Sequence, residues 1–240
     1  MTTDTAVSRI RAVRHRLAQE GPPWTRDRAD DFPTVTVPER DGDVLRDLLI
    51  AEGVATVVEV GLAYGSSALA IGEALLAVGR PDPRHVVIDP FQDSVWRNVG
   101  WDQLCSAGLA PITRLIPDWS SVALARLVAD GFVADAAFVD GSHRFHEVFV
   151  DFYFLRKIVR PGGLILIDDD RVPSVRAAAR YYEQNLGWTP IPGAFTGGTL
   201  VVDGDDSAAE PVTRCNAFRL PDALSEPPFG DFQPFGPCGH

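Results

Sequence analysis

Cysteine, basic residues and long apolar runs are all scarce in this chain of 240 residues. Its three cysteines, Cys105, Cys215 and Cys238, are far apart and lack metal-site spacing, so we expect a reducing, cytoplasmic location. Lys and Arg number 22 against 33 Asp and Glu, and the net charge of −11 argues against nucleic-acid or anionic-membrane partners. No apolar run approaches the roughly 18 residues that cross a bilayer, and residues 1–16 lack the apolar centre of a signal peptide.

A G-x-G-x-x-G turn is also absent where the strand pattern would favour it, which argues against a pyrophosphate site. Residues 56–60 are mostly β-branched and apolar, Gly61 and Gly65 bracket a turn, and a helix pattern starts at Ser66. Such a unit brings backbone N–H groups to the carboxyl edge of a sheet, where nucleotide-like ligands bind. Glu59 would repel a pyrophosphate but suits a ligand with a cationic amino-acid end. The alternative is a strand, turn and serine-capped helix without a ligand.

Strand and helix patterns alternate from residue 56 to residue 186, which predicts a parallel α/β sheet with right-handed crossovers. The predicted strands are 56–60, 85–90, 112–116, 134–140 and 164–168, and the predicted helices are 3–20, 41–53, 66–78, 94–107, 118–129, 148–159 and 175–186. Beyond residue 186, strands at 188–192 and 199–203 are predicted to form a terminal antiparallel hairpin, and 212–220 is predicted to be a further edge strand.

The two ends of the chain carry no recognisable motif. The boundaries that we predict are 1–40 for an N-terminal helix and cover segment, 41–220 for the core domain, and 221–240 for the tail. Residues 24–38 are polar and proline-punctuated, so they form either a cover over the core or a dimer arm, and the first helix is a second candidate for a homodimer contact. The tail is either disordered or a strap packed by its aromatic residues, Phe229, Phe232 and Phe235.

Acidic residues cluster where two of the predicted strands end. Asp140 closes the fourth strand, and Asp168, Asp169 and Asp170 close the fifth. Adjacent parallel strands bring both ends to one edge of a sheet, so these carboxylates would repel one another unless they were neutralised. A divalent cation such as Mg²⁺ would neutralise them, with Asp140, Asp168 and Asp169 as ligands and Asp170 as a helix cap or solvated residue. The alternative is that all four are ordinary capping and loop acids.

Two histidines follow the first of these strand ends. His143 lies three residues past Asp140, where its imidazole could receive the proton of a cation-bound hydroxyl. His146 lies about one helical turn further on and is the rival for this role. We favour His143 because it is closer to the strand end, although either residue could instead cap a helix or face solvent.

These motifs together resemble a family of bacterial class I S-adenosylmethionine (SAM)-dependent methyltransferases, over about residues 44–202. The family includes macrocin-type sugar O-methyltransferases and relatives of a cephalosporin-biosynthesis methyltransferase. The residues that carry the resemblance are the Glu59–Gly65 turn, Asp140–His143, Asp151-Phe152, Arg160–Gly163 and Ile167–Asp169. One departure is that sugar-modifying relatives often have Glu-Asp at the place of Asp168-Asp169, and the shorter side chain would shift or weaken the ion.

The resemblance implies a Rossmann-like, doubly wound, mostly parallel seven-stranded sheet with a C-terminal antiparallel hairpin. It implies SAM and Mg²⁺, or another divalent cation, as cofactors, with the three aspartates on the metal and His143 as the base. Within the SAM site it places Glu59 and Gly61 near the methionine end, Asp89 on the ribose, and Asp118, Trp119 and Ser120 at the adenine edge. Tyr64, Gly65, Ser66 and Asp140 complete the predicted cofactor-binding residues.

The activity expected from these features is metal-assisted methylation of a hydroxyl on a small, perhaps glycosylated, natural product. Aromatic residues that could line the acceptor pocket are Trp24, Phe91, Trp96 and Phe195. Three rivals stay open: a nicotinamide-dependent oxidoreductase, a SAM-binding protein without catalysis, and a methyltransferase that needs no metal.

Overall fold

The computed structural model describes residues 3–23, 31–201 and 212–234. The helices are α1 (Thr3–Glu20), α2 (Phe32–Val35), α3 (Glu39–Glu52), α4 (Ser66–Val78), α5 (Val99–Ala107), α6 (Ser120–Ala129), α7 (Phe145–Ile158) and α8 (Pro173–Leu186). The strands are β1 (Thr56–Val60), β2 (Arg84–Ile88), β3 (Thr113–Ile116), β4 (Ala134–Val139), β5 (Val159–Ile167), β6 (Thr189–Pro190), β7 (Leu200–Val201), β8 (Val212–Thr213) and β9 (Asn216–Arg219). Among these helices, none combines the length and the apolar composition that a membrane crossing requires.

A seven-stranded sheet in the order β3-β2-β1-β4-β5-β9-β6 forms the centre of the fold. Strands β1 to β5 pair in parallel, whereas β9 pairs antiparallel with both β5 and β6. The predicted doubly wound, mostly parallel α/β architecture is therefore confirmed. The strand order reverses beside β1, since β2 lies on one side of it and β4 on the other. Doubly wound folds bind their ligands at the carboxyl ends of the strands at such a point.

Alternation along the strands supplies an apolar layer on each face of the sheet. Val58 and Val60 of β1 pack towards α6, α7 and α8, together with Phe152 and Tyr182 from those helices. Val57, the residue before Val58, faces the opposite layer of α3 and α4. Because successive strand side chains point to opposite faces, the near-continuous apolar run of β1 is buried on both sides. Helix α1 extends the second layer, since Ile10, Val13 and Leu17 pack against α4 and α5.

The antiparallel end of the sheet differs from the predicted hairpin. Strand β6 pairs with β9, and β7 pairs with β8 in a separate two-stranded sheet, so the segments predicted at 188–192 and 199–203 are not partners. The predicted edge strand at 212–220 splits into β8 and β9, and β9 lies inside the sheet between β5 and β6. Burial explains this choice, because Ala217 and Phe218 of β9 are fully buried whereas Leu200 of β7 is exposed. The apolar strand takes the inner position.

Two other element boundaries also differ from the prediction. Helix α5 starts at Val99 rather than near residue 94, because Arg97 and Asn98 have left-handed φ angles of 51° and 60°. Strand β5 begins at Val159 and is longer than predicted.

In the tail, Phe229 is fully exposed. An ion pair between Arg156 and Glu226, at 2.6 Å, holds the tail against α7, and Phe235 lies outside the described residues.

Register places four residues in a row along the carboxyl edge of the sheet. Val60 pairs with Ile88 and Val139, and Val139 pairs with Ile167. The residues that follow these four strand ends are Asp89, Gly61, Asp140 and Asp168, in order across the sheet. Backbone hydrogen bonds continue one residue beyond the strands, since Gly61 N donates to Ile88 O at 2.9 Å and Asp140 N donates to Val60 O at 2.8 Å.

The Gly61→Ala substitution tests how tightly β1 and β4 approach at this edge. Gly61 has φ 96°, and an added Cβ would lie 2.2 Å from the Asp140 carbonyl oxygen. We expect a loss of at least about 3 kcal/mol in the free energy of unfolding, measured by urea denaturation. Gly131→Ala is the control, since Gly131 has φ 67° with nothing within 4 Å of the added atom, and it should cost only about 1 kcal/mol. Equal losses would show that the contact with Asp140 does not limit this position.

Candidate functional site

A cavity of about 610 Å³ lies over the carboxyl edge of the sheet. Its floor includes Gly61, Asp89 and Asp140 from the row of strand ends, and Asp169 and Arg214 close the side beyond β5. The loop after β3 contributes Trp119, and α7 contributes Asp151. The cavity thus joins the two motifs that the sequence singled out, the glycine turn and the acidic strand ends.

Asp89 fixes the shape of the glycine turn. Its Oδ2 accepts hydrogen bonds from the backbone N–H groups of Leu62 at 3.1 Å and Ala63 at 3.0 Å, and from Gln92 Nε2 at 3.0 Å. Its Oδ1 accepts from Phe91 N at 2.8 Å. A carboxylate offers about four acceptor positions, so Oδ1 keeps one for a ligand hydroxyl. The predicted ribose acceptor therefore lines the cavity, and it also holds the turn in place.

Glu59 lies under the turn rather than in the cavity. Its side chain is fully buried, with Oε1 accepting from Ser67 Oγ at 2.5 Å and Oε2 lying 2.8 Å from His85 Nε2. The alternation along β1 explains this, because Glu59 shares the sheet face of Val57 that α4 covers. In this position, the Glu59 carboxylate does not reach the methionine end of SAM as predicted. Glu59 instead ties the start of α4 to the sheet.

The other predicted residues of the turn divide between backbone and packing roles. Tyr64 is buried, and its ring packs 5.2 Å from Trp96 and 5.6 Å from Phe32, so its side chain stabilises the turn. Gly65, with φ 89°, is the N-cap of α4, and Ser66 is the first residue of that helix. These two residues line a narrow cleft between the turn and residues 35–37, where backbone groups are the available contacts.

At the predicted adenine edge, two of three residues line the cavity. Trp119 is about half exposed, with its ring 5.3 Å from Phe91 in an edge-to-face arrangement, and Ser120 begins α6 beside it. Asp118 turns away, since its carboxylate accepts from Trp119 N and from Arg126 Nη1, both at 2.8 Å. Asp118 therefore orders the loop, while Trp119 and Ser120 face the cavity.

Two of the three predicted metal-binding carboxylates meet at the cavity. One ligand atom from each of Asp140, His143 and Asp169 lies within 4.8 Å of the others, and His143 Nε2 is 3.3 Å from Asp169 Oδ2. Removal from water raises the pKa of the Asp140 carboxyl well above its usual value, and the charge of Asp168 adds to this. Burial and Asp168 likewise raise the pKa of Asp169. The site therefore holds more negative charge than it can solvate.

Asp168, the third predicted ligand, is bound to Arg214. Arg214 Nη2 donates to Asp168 Oδ2 at 2.6 Å and Nε donates to both carboxylate oxygens, at 2.9 and 3.1 Å. Cys215 Sγ lies 2.9 Å from Oδ1. Burial acts to lower the pKa of Arg214, but its hydrogen bond and ion pair with Asp168 outweigh burial and raise it. The Asp168 carboxylate is thus paired with the Arg214 guanidinium. The side chains that are left as candidate metal ligands are Asp140, Asp169 and His143.

The remaining donors fit a divalent cation in number and spacing. Two carboxylates satisfy the preference of Mg²⁺ for oxygen, and atoms within 4.8 Å of one another need to move only about 1 Å to share an ion at about 2.1 Å. An imidazole is a common ligand of Mn²⁺ and Zn²⁺ as well. Asp169 has φ 51°, a left-handed conformation that orients its side chain towards His143.

Arg214, Cys215 and Asp151 are residues that reasoning from the sequence missed. Arg214 lies 46 residues after Asp168, between β8 and β9, and no spacing rule connects the two positions. Asp151 carried a family resemblance but no assigned role. Of the aromatic residues predicted for the acceptor pocket, Phe91 and Trp96 line the cavity, Phe195 is buried in the core beside α3 and α4, and Trp24 lies outside the described residues. His146 is exposed, 3.7 Å from Glu147, and outside the cavity.

The Arg214→Met substitution tests whether Arg214 is needed to bury Asp168. It leaves the fully buried Asp168 carboxylate without a cation, so we expect a loss of about 3–5 kcal/mol in the free energy of unfolding. Arg219→Met on β9 is the matched control, because its ion pair with Glu52 is partly exposed and should be worth about 1 kcal/mol or less. Urea denaturation followed by circular dichroism measures both, and similar losses would contradict this assignment.

Comparison with known proteins places this site in a family context. A family described as a methyltransferase domain matches residues 58–169, from β1 to the end of the acidic cluster. No curated protein sequence matches the chain.

Among solved structures, the fold is similar to two O-methyltransferases and to one further cofactor-bound protein. The O-methyltransferase TomG from Streptomyces achromogenes, involved in tomaymycin synthesis and solved with SAM, has a TM-score of 0.64 at 19% identity, covering 87% of this chain and 89% of TomG. An O-methyltransferase from Bacillus cereus in complex with SAH has a TM-score of 0.58 at 16% identity, over 90% and 91%. Cofactor-bound Rv0187 from MTB has 0.58 at 18%, over 91% and 90%. Residues 58–169 thus match a methyltransferase domain, and the chain shares the fold of the solved O-methyltransferases.

Proposed function

We propose that the protein is a SAM-dependent O-methyltransferase, assisted by a divalent cation, that acts on a hydroxyl of a small natural product. The observation that carries this proposal is one cavity in which the Gly61 turn and Asp89 lie beside Asp140, Asp169 and His143. The first pair suits a nucleoside-bearing donor, and the second group suits a hydroxyl that must lose a proton. The methyltransferase domain match over the same residues supports the reading.

The donor site consists of backbone and ribose contacts. SAM supplies a methyl group on a sulfonium centre, which is electrophilic without further activation by the protein. Asp89 Oδ1 accepts from a ribose hydroxyl, and the amino-acid end lies against the Gly61 turn, whose shape Asp89 fixes through the N–H groups of Leu62 and Ala63. Trp119 and Phe91, whose rings are nearly perpendicular, provide an apolar corner in which one ring face can stack on the base. The chain's task is alignment of donor and acceptor, since proximity supplies much of such a rate enhancement.

Asp140 and Asp169 are the residues that would hold the cation. A divalent cation bound there supplies Lewis-acid chemistry, lowering the proton affinity of an acceptor hydroxyl. Arg214 keeps Asp168 from competing for the same ion and adds positive charge 3.5 Å from Asp169. The shorter Asp168 carboxylate, at the place where sugar-modifying relatives often have Glu, accords with a role in this ion pair.

His143 is proposed as the base that takes the hydroxyl proton. It is about half exposed in the cavity, and Asp169 lies 3.3 Å from its Nε2, which stabilises the imidazolium that forms. The Ser174 hydroxyl donates to the His143 carbonyl oxygen and so anchors the backbone of this loop. One nitrogen cannot both bind a cation and accept a proton, so this proposal assigns the metal to the carboxylates.

The proposed acceptor is a small hydroxylated natural product, either glycosylated or free of sugar. Thr34, Val35 and Trp96 line the wall of the cavity opposite α7, which leaves an apolar rim beside the acidic cluster. The involvement of TomG in tomaymycin synthesis supports a natural product as the acceptor class. A homodimer contact through α1 stays a prediction.

Calorimetric titration separates this proposal from its oxidoreductase rival. We expect S-adenosylhomocysteine to bind with a dissociation constant in about the micromolar range and NAD to bind at least about 100-fold more weakly, because the turn lacks a pyrophosphate cradle. Binding of NAD with no binding of S-adenosylhomocysteine would reject the proposed function.

Metal removal and His143→Ala together test the chemistry. With labelled SAM and a panel of hydroxylated natural products, EDTA should abolish methyl transfer, and excess Mg²⁺ should restore it. His143→Ala should lower turnover by at least about 100-fold while Mn²⁺ affinity stays within about threefold. Asp140→Asn is the comparison variant and should weaken Mn²⁺ binding by at least about tenfold. Unchanged turnover in EDTA would reject the metal, and a His143→Ala variant that loses Mn²⁺ would make His143 a ligand.

A further inference from the structure

Asp151 is a buried carboxylate on the cavity wall with an unfilled acceptor oxygen. The residue is 1% exposed and lines the cavity from α7, and its Oδ1 has no hydrogen-bond partner among residues 3–23, 31–201 and 212–234. Its neighbour Phe152 is fully buried in the core, so the helix cannot turn Asp151 outward without losing that packing. The mechanism proposed above does not use this residue.

A carboxylate in this position is costly unless something pairs with it. Burial raises the pKa of Asp151 to about 7; a hydrogen bond with Ser120 opposes this shift, and the charge of Glu147 adds to it. One hydroxyl partner leaves Oδ1 bare, and a bare buried acceptor costs more than a single hydrogen bond returns. A donor group from a ligand would remove that deficit.

The surroundings of Asp151 describe the shape of that ligand group. Ser120 starts α6 next to Trp119, whose ring stands edge-to-face with Phe91 on the same side of the cavity. An aromatic ring face beside a carboxylate suits a heterocycle that carries an N–H donor in its plane. A donor with its ribose on Asp89 and its reactive methyl near Asp140 has its base at this end.

Glu147 is the other carboxylate on this face of α7, one helical turn earlier. Hydrogen bonds from Ser142 and from Arg144, the latter at 3.1 Å, lower the pKa of Glu147. Glu147 therefore already has its partners, and its side chain keeps contact with water. Asp151 is the buried acceptor that is left for a ligand.

We propose that Asp151 Oδ1 accepts a hydrogen bond from the exocyclic amino group of the adenine of the methyl donor. Asp151 is then the residue by which the protein distinguishes adenine from a base with an oxygen at that position. This inference rests on the proposed function, because it needs an adenosyl donor in the cavity.

The test compares two ligands that differ only at the 6-position of the purine and the adjoining N1, S-adenosylhomocysteine and S-inosylhomocysteine. Calorimetry measures their affinities for the wild-type protein, Asp151→Asn and Asp151→Leu. We expect the wild-type protein to prefer the adenosyl ligand by about 10- to 100-fold, since the inosyl oxygen would face a carboxylate oxygen. Asp151→Leu should reduce this preference to about twofold or less. Asp151→Asn should also lose it, by gaining affinity for the inosyl ligand, because its amide can donate to the oxygen.

The ratio of the two affinities makes the outcomes separable. A general loosening of the fold weakens both ligands and leaves their ratio unchanged, whereas a gain of inosyl binding cannot arise from misfolding. A wild-type ratio that both variants preserve would overturn the role of Asp151 while leaving the proposed function standing. Failure of the wild-type protein to bind either ligand would instead overturn the proposed function, and this inference with it.

Discussion

Negative charge gathered at one sheet edge is the constraint on which the site depends. Parallel pairing of β1, β4 and β5 brings Asp140, Asp168 and Asp169 together, and removal from water then works against the ionised forms of Asp140 and Asp169 by raising the pKa of both. Arg214 neutralises one carboxylate completely, which leaves Asp140 and Asp169 with an excess that a bound cation would balance. The cation that would balance the charge of the site is therefore the same cation that the proposed chemistry uses.

The antiparallel end of the sheet contributes directly to that balance. Strand β9 lies between β5 and β6, and its position brings Arg214 and Cys215 to the Asp168 carboxylate. A strand order in which β9 stayed at the edge would leave Asp168 without its cation. The late strand pair is thus part of the site, although the residues proposed to react come from the loops after β4 and β5.

The sequence predicts those parts of the molecule that local patterns encode. The parallel core, the Gly61 turn and the acidic strand ends follow from apolar runs and from residues beside them. Arg214 could not be found this way, because its partner is 46 residues away and the strand order that joins them depends on tertiary packing. The prediction for Glu59 treats a residue near the end of a strand as facing the ligand. Alternation along β1 instead points its side chain under α4. Asp151 receives no role from the sequence, because its burial depends on how α7 packs in the fold.

Anomalous diffraction from a crystal soaked with Mn²⁺ and S-adenosylhomocysteine tests the central claim most directly. The account predicts one strong peak within about 2.6 Å of a carboxylate oxygen of both Asp140 and Asp169, with Arg214 still paired to Asp168. A map with no peak between those carboxylates, or with Asp168 on the ion and Arg214 displaced, would contradict it.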